Sequence, residues 1–276
     1  MSAIVLALGA SLTWGLADFF GPLKGRALGA LRALLYVQLG GLLGIALIVA
    51  VRAKGPADAG FLFAIPAAVS GTLGLYAYYR GAAVGAMSIV APIAGIAAVV
   101  PVVVGIASGD RPSPWQGAGI AAALCGVFLA SREEKRGGRR LAAGVGLALL
   151  AAIGFGGYFP PMHAAGDADF WWASLLFRMT SSSLILLAVA AQRPPLRVEP
   201  LQLPWLALIG VGDMLGNLLF AAASASGLVS ITSVLASLYP IVTVLLARIV
   251  LSERVARSQE AGIVLTLAGV ALISVG

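Results

Sequence analysis

Long apolar runs separated by short polar breaks organise this chain. A helix needs ~20 mainly apolar residues to cross the ~30 Å hydrocarbon core of a bilayer. Ten such runs follow one another, at 3–20, 28–51, 61–79, 85–107, 115–130, 141–159, 170–191, 203–222, 228–251 and 260–275. The pattern predicts an all-α integral membrane protein with ten transmembrane helices.

The two halves of the chain resemble each other in sequence. Asp110-Arg111 aligns without gaps on Glu253-Arg254, and the following Gly-rich helix from Gln116 aligns on the helix from Gln259. We therefore expect a first five-helix repeat at 1–131, a basic linker at 132–140 and a second five-helix repeat at 141–276. Because five is odd, the second repeat enters the membrane in the opposite sense, which gives the inverted repeats that support alternating access.

Composition excludes most soluble classes of protein. Hydrophobic residues make up 60% of the chain, charged residues 11%, and the mean hydropathy is +1.00, whereas soluble domains carry ~25% charged residues. A single cysteine, Cys125, allows neither an internal disulfide nor a cysteine-based metal cluster. The net charge of +7 lies mainly in the polar breaks, which favours lipid headgroups over a nucleic-acid partner.

Basic residues are concentrated in the breaks that follow the odd-numbered predicted helices. The linker 132–140 alone supplies five of them, and Arg80 and Arg193 lie in two of the other breaks. The opposite side holds Arg52, Lys54 and Arg111. By the positive-inside rule, this distribution predicts termini outside the cytoplasm.

Several motifs, taken in order, resemble the EamA family of the drug/metabolite transporter superfamily over essentially the whole chain. They are Trp14-Gly15, Arg32 and Arg178 near two helix starts, the Gly109-Asp110-Arg111-Pro112 turn with its counterpart Ser252-Glu253-Arg254, Ser237-Leu238-Tyr239-Pro240, and the two closing Gly-rich helices. The resemblance implies a ten-helix transporter of small metabolites with a central cavity between its halves. Family members more often have cytoplasmic termini, in contrast to the charge distribution above.

Two carboxylates inside predicted spans are candidates for substrate or proton binding. Asp18 shares a helix face with Trp14, four residues earlier, and Asp213 shares one with Asn217. A charge at the centre of a span costs at least ~2.5–3.5 kcal/mol, so each acid could bind a proton or a cationic amine. The alternatives are a structural ion pair with Arg178 or Arg80 and, for Asp18, an interfacial position near the helix end.

Arg178 allows two interpretations. As a planar donor it could clamp a substrate carboxylate. It lies only about two turns inside its predicted span, however, and this favours a structural role in which the side chain reaches the headgroups.

Aromatic residues suggest a further part of the cavity. Tyr76, Tyr79 and Arg80 form one helical stripe, and Tyr158 lies three residues after Phe155. Each set could line a cavity or belong to the aromatic belt at the membrane interface.

Prolines interrupt the fourth and ninth predicted helices, which occupy matching places in the two halves. Pro92 and Pro101 lie in the fourth helix and Pro240 in the ninth. Paired interruptions point to the binding site of a transporter, and we expect Ser237 and Tyr239 beside Pro240 to line it.

No ATP-binding motif and no convincing metal site is visible. The motif G-x-x-x-x-G-K-[ST] is absent, and the only histidine, His163, is expected in a solvated loop. We therefore predict a cofactor-free secondary transporter in the cytoplasmic membrane, in contact with lipid, that exports small organic metabolites such as amino acids or related zwitterions. Proton coupling and a monomeric state are compatible with this prediction, and a membrane-embedded enzyme or a channel is the alternative.

Overall fold

Helices form all the regular structure in the part of the chain that the computed structural model describes, residues 3–85, 87–130, 138–252 and 257–275. The helices are α1 Ala3–Leu28, α2 Ala30–Arg52, α3 Ala64–Val84, α4 Met87–Gly95, α5 Val99–Ala107, α6 Pro114–Ala130, α7 Gly138–Gln192, α8 Leu203–Ser224, α9 Val229–Ala236, α10 Tyr239–Val250 and α11 Arg257–Val275. Short 3-10 turns lie at Ala59–Phe63, Ile96–Ala98 and Pro200–Gln202. Most of the predicted linker, and the Glu253-Arg254 motif, lie outside the described residues.

Six helical stretches of the described residues are long and apolar enough to cross a membrane. They are Ala3–Leu28, Ala30–Arg52, Ala59–Val84, Gly144–Gln192, Pro200–Ser224 and Val229–Val250. Their lipid-facing sides carry exposed leucines and valines, including Leu43 and Leu187. The chain is therefore a multi-pass membrane protein.

The longest helix, α7, is two helices joined at Asp169. Asp169 has non-helical torsion angles (φ −166°, ψ 100°), and its carboxylate accepts hydrogen bonds from the backbone N–H groups of Trp171 and Trp172 at 3.0 and 3.1 Å. This is the geometry of an N-terminal cap. We call 138–168 the first arm of α7 and 170–192 its second arm.

The chain folds back between the two arms. Along the first arm, Gly144, Gly154 and Ala168 lie against Gly85, Gly74 and Gly60 in turn, so this arm is antiparallel to α3. Along the second arm, Phe177 lies against Gly71, and Ser181 hydrogen-bonds Thr72. The second arm therefore follows α3 in the same direction, opposite to the first arm.

Two predicted helix ends were wrong. The first predicted helix was to end at Phe20, but α1 continues through Pro22 to Leu28. Proline cannot donate to the carbonyl four residues earlier, that of Asp18, and the Tyr78 hydroxyl donates to this carbonyl instead, at 3.3 Å. Asp18 consequently lies well inside α1 and not near its end.

The sixth predicted helix was to end at Phe159, before Pro160-Pro161, yet the first arm continues to Asp169. Pro160 and Pro161 leave the carbonyls of Gly156 and Gly157 without their usual donors, and inside a membrane bundle neighbouring groups allow a helix to continue past such prolines. His163 therefore lies within a helix, 3.6 Å from Asp167, and not in a loop.

The two halves pack against each other reciprocally, at glycines. A Cβ atom on Gly216 of α8 would overlap the indole of Trp14 in α1, and a Cβ atom on Gly154 of the first arm would lie 2.5 Å from the Gly74 Cα atom in α3. Small residues allow such close approach between membrane helices. The first helix of each half thus crosses the third helix of the other half.

Both helices that contain the predicted proline interruptions are broken. The turn Ile96–Ala98 separates α4, which contains Pro92, from α5, where Pro101 is the third residue. Residues 237 and 238 separate α9 from α10, and Pro240 is the second residue of α10. A proline costs no hydrogen bond in the first turn of a helix, where the N–H groups have no partner within the helix.

Candidate functional site

A cavity lies where the two halves of the chain meet. Its lining residues come from α1, α2, α3, both arms of α7, α8 and α10, and are Trp14, Asp18, Gln38, Gly71, Thr72, Leu75, Phe155, Tyr158, Phe159, Phe177, Ser181, Asp213, Asn217 and Tyr239. The cavity volume is about 50 Å³. The cavity is therefore narrow, and it can hold a solute larger than a few atoms only if the lining side chains move apart.

A buried ion pair lies beside the cavity. The guanidinium group of Arg178, which has no exposed surface, donates through Nη2 to Oδ2 of Asp213 at 2.5 Å. Its Nη1 donates to Oε1 of Gln38. Arg178 is itself absent from the residues that line the cavity. The positive charge is thus held behind Asp213 and Gln38, away from the space that a solute would occupy.

Polar side chains extend this network between the halves. Nε2 of Gln38 donates to Oγ of Ser181 at 2.6 Å, and the hydroxyl groups of Ser181 and Thr72 are 2.7 Å apart. The amide of Asn217 donates to the backbone carbonyl of Asp213 at 3.0 Å. α2, α3, the second arm of α7 and α8 are therefore joined by hydrogen bonds in the membrane interior, where such groups have no water to bind.

Asp18 is the second carboxylate of the cavity, and it has no such partner. The side chain is buried, with 6% of the residue exposed. Ion pairs among the described residues join His163 to Asp167, Arg178 to Asp213 and Arg248 to Glu260, and none includes Asp18. The Arg178–Asp213 pair is neutral overall, so Asp18 is the one carboxyl group without a cationic partner among the described side chains lining the cavity.

Aromatic rings form another part of the cavity wall. The Trp14 ring centroid lies 5.9 Å from that of Tyr158 and 6.5 Å from that of Tyr239, both in edge-to-face geometry. Tyr158 packs in the same way against Phe177, at 5.3 Å. The hydroxyl groups of Tyr158 and Tyr239 are buried and have no hydrogen-bond partner in the described structure. Buried hydroxyls normally have partners, so this wall presents two unused polar groups.

The structure brings six of the predicted site residues together at this cavity: Trp14, Asp18, Tyr158, Asp213, Asn217 and Tyr239. Asp18 is buried between helices and lies well inside α1, not near its end. Asp213 forms an ion pair with Arg178, which was the structural alternative to a role in substrate or proton binding. Arg178 does not reach the headgroups, because the side chain is fully buried.

The remaining candidates lie elsewhere. Arg80 is exposed, Tyr76 is partly exposed, and Tyr79 packs over Gly21 and Gly25 of α1, so the predicted aromatic stripe does not line this cavity. Ser237 is buried outside the lining, with its hydroxyl unpaired. Pro101 and Pro240 likewise lie outside the lining, and the side chain of Pro92 lies outside the described part of the chain.

Three uncharged polar residues of the lining were not predicted from the sequence: Gln38, Thr72 and Ser181. Gln38 could have been found, because it is the one Asn or Gln in the otherwise apolar helix α2. Thr72 and Ser181 give no such signal, since Ser and Thr are common at packed helix contacts in membranes.

Counted from the helix starts, Gln38 in α2 occupies the place that Arg178 occupies in the second arm of α7. Gln38 lies eight residues after Ala30, the first residue of α2, and Arg178 lies eight residues after Phe170, which begins the second arm. Arg32, near the start of α2, donates instead to the carbonyl of Arg197 at 3.1 Å. Arg178 and Gln38 thus hold equivalent positions in two matching helices and bind each other.

Comparisons with known proteins agree with the helical fold and with the division of the chain into two similar halves. One solved crystal structure of a protein, 20% identical in sequence, superposes with a TM-score of 0.73 over 99% of this chain and 98% of that chain, which shows a shared fold. No curated protein matches the sequence. A model of the EamA-like transporter family matches residues 1–132 and again residues 142–275. Members of this family are transporters and not enzymes. The chain therefore belongs to the EamA-like transporter family of the drug/metabolite transporter superfamily.

Proposed function

We propose that this protein is a secondary carrier that exports small organic solutes through the cytoplasmic membrane by alternating access. The observation that carries the proposal is the buried cavity to which both halves of the chain contribute facing side chains. A carrier needs such a site between two parts that can move against each other.

The carrier has ten spans in two inverted repeats, 1–131 and 141–276, joined by the linker 132–140. The two arms of α7 count as two spans, while α4 with α5 and α9 with α10 count as one interrupted span each. Reciprocal packing of α1 on α8 and of the first arm on α3 supports the inversion. So does the contact between Gln38 and Arg178, because equivalent residues meet near a two-fold axis.

Asp18 is the group that we propose for proton coupling. A carboxylate can bind a proton on one side of the membrane and release it on the other. The titratable groups around it are Asp213 with its partner Arg178, and the tyrosines Tyr78, Tyr79 and Tyr239 from α3 and α10. Since Arg178 is bound to Asp213, Asp18 is freer than Asp213 to exchange a proton or a cationic solute.

The test compares metabolites inside and outside cells that express the wild type or Asp18→Asn at matched membrane levels. We expect the wild type to lower the internal level and raise the external level of a defined set of solutes, and Asp18→Asn to abolish this change. A protonophore should abolish it as well. Asp58→Asn, which neutralises an exposed carboxylate far from the cavity, serves as the control.

Two results would count against the proposal. If cells that express the wild type and cells that lack the protein have identical solute distributions over a broad metabolite survey, the carrier function fails. If Asp18→Asn transports as well as the wild type and responds equally to the protonophore, the carrier stands but Asp18 has no coupling role.

A further inference from the structure

Of the two carboxyl groups that line the cavity, Asp213 has an ion-pair partner among the described residues and Asp18 has none. This difference bears on the kind of solute that the cavity accepts. Arg178 is neutralised by Asp213 and lies behind the lining, whereas Asp18 faces the space without a counter-charge among the described residues. We propose that the cavity selects aromatic organic cations, primary ammonium compounds above all, and discriminates against the corresponding zwitterionic amino acids. This inference rests on the proposed carrier function and names its substrate class.

A substrate carboxylate would find no available cation here. Both terminal nitrogens of Arg178 are engaged, Nη2 with Asp213 and Nη1 with Gln38. Its Nε is unpaired, but the whole side chain has no exposed surface. An amino acid could reach Arg178 only by displacing Asp213 or Gln38. Displacing Asp213 would leave a buried carboxylate without its partner, which is strongly unfavourable, and displacing Gln38 would leave the side-chain carbonyl of Gln38 without its donor, which also costs free energy.

An ammonium group, in contrast, finds complementary acceptors. It presents three N–H donors and no acceptor. The Asp18 carboxylate and the unpaired hydroxyl oxygens of Tyr158 and Tyr239 are available to receive them. A zwitterion would supply the same donors, but its carboxylate would face Asp18 and the aromatic rings.

The aromatic wall favours the same class of solute. The rings of Trp14, Tyr158, Tyr239 and Phe177 pack edge to face around the cavity. Cations are attracted to the faces of such rings, most strongly where water is excluded, and an aromatic solute can also pack against them. Charge and shape therefore point to an amine with an aromatic body.

Three probes that differ in one group test this selectivity on the purified full-length protein in mild detergent at pH 7. They are 2-phenylethylamine, phenylalanine, which adds a carboxylate, and 2-phenylethanol, which lacks the charge. We expect the amine to bind about 10–100-fold more tightly than either of the others, the range for gaining a hydrogen bond to a charged group. Equal or tighter binding of phenylalanine, or no measurable binding of the amine, would overturn the proposal.

Two variants test whether Asp18 and Asp213 determine this selectivity. Asp18→Asn should weaken binding of the amine by about 10–100-fold with little effect on the alcohol, while Asp58→Asn should bind all three probes as the wild type does. Asp213→Asn leaves Arg178 without its carboxylate partner, so it should narrow the preference for amine over phenylalanine. If Asp213→Asn does not purify as a folded protein, Asp18→Asn decides the question alone. An unchanged affinity of folded Asp18→Asn for the amine would refute the role of this charge.

These binding measurements are independent of transport. Tight binding of phenylalanine alone would overturn cation selectivity and leave the carrier function intact. Failure of the carrier function would instead appear as an unchanged solute distribution in cells, whatever the protein binds in detergent.

Discussion

Arg178 has no exposed surface, yet it carries a permanent positive charge within a helix that spans the membrane. Asp213 and Gln38 make this possible by accepting its hydrogen bonds. Gly41 contributes as well, because a Cβ atom there would lie 3.3 Å from Cζ of Arg178 and 2.7 Å from the Gly210 carbonyl oxygen. Three helices, the second arm of α7, α8 and α2, thus supply the charge, its partners and the space for these side chains.

Removing one partner of this pair should destabilise the protein more than removing both. Breaking a buried pair costs on the order of 3–5 kcal/mol, since the other charge is left unpaired, whereas apolar replacement of both members can be nearly neutral. We expect Arg178→Met and Asp213→Leu each to lower the thermal unfolding midpoint in detergent strongly, and the double variant to lower it less than either single variant does.

The exposed pair formed by Arg248 and Glu260 is the matched control. Its atoms are 3.1 Å apart, and its side chains are 55% and 50% exposed. Such pairs contribute only ~0–1 kcal/mol, so Arg248→Gln should leave the midpoint almost unchanged. Strictly additive losses in the Arg178/Asp213 cycle would show that the two residues do not stabilise each other.

At the scale of the helices, close backbone contact fixes where α2 and α8 cross. A Cβ atom on Gly210 would overlap the carbonyl oxygen of Val37, and neither backbone can move without disturbing the crossing that holds Asp213 beside Arg178. The crossing therefore positions the ion pair.

Gly210→Ala should consequently reduce stability, although alanine favours helix formation over glycine by about 1 kcal/mol. Overpacking of this kind costs typically ~1–3 kcal/mol. Gly212→Ala, in the same helix, places its Cβ in open space and should be neutral or stabilising. Thermal midpoints and the monodisperse fraction after detergent extraction measure both variants. Equal behaviour of the two would contradict the close crossing.

Apolar periodicity predicted the helices better than their ends. The first helix extends beyond Phe20 because the Tyr78 hydroxyl, 60 residues away in sequence, satisfies the carbonyl that Pro22 leaves free. The break at Asp169 had a local signal, because an acidic residue there can cap the following helix by accepting hydrogen bonds from the backbone N–H groups of Trp171 and Trp172. The sequence pattern instead predicted the helix end before Pro160-Pro161. Proline marks a helix end in water more reliably than inside a packed membrane bundle.

For the whole molecule, the sequence identified the repeat and the family but only part of the cavity. Trp14, Asp18 and Asp213 were found because large or charged side chains in apolar helices are conspicuous. Whether a residue faces the cavity, however, depends on how each helix is rotated and where it crosses its neighbours. Tyr79 packs on the glycines of α1 while Tyr158 lines the cavity, and no local pattern distinguishes the two tyrosines.

The central claim, a cavity opened alternately to the two sides by inverted repeats, is tested most directly by labelling single cysteines in membrane vesicles of both orientations. In a Cys125→Ala background, Asn217→Cys places a thiol in the cavity, and Leu218→Cys places one among buried apolar side chains outside it. Ser108→Cys and Ser252→Cys place thiols at two exposed turns, one in each half.

A membrane-impermeant thiol reagent should label Ser108→Cys in one vesicle orientation and Ser252→Cys in the other, because the repeats are inverted. It should label Asn217→Cys in both orientations and Leu218→Cys in neither. Labelling of Ser108→Cys and Ser252→Cys from the same side would contradict the inverted repeats. Labelling of Asn217→Cys from one side only, or from neither, would contradict alternating access through this cavity.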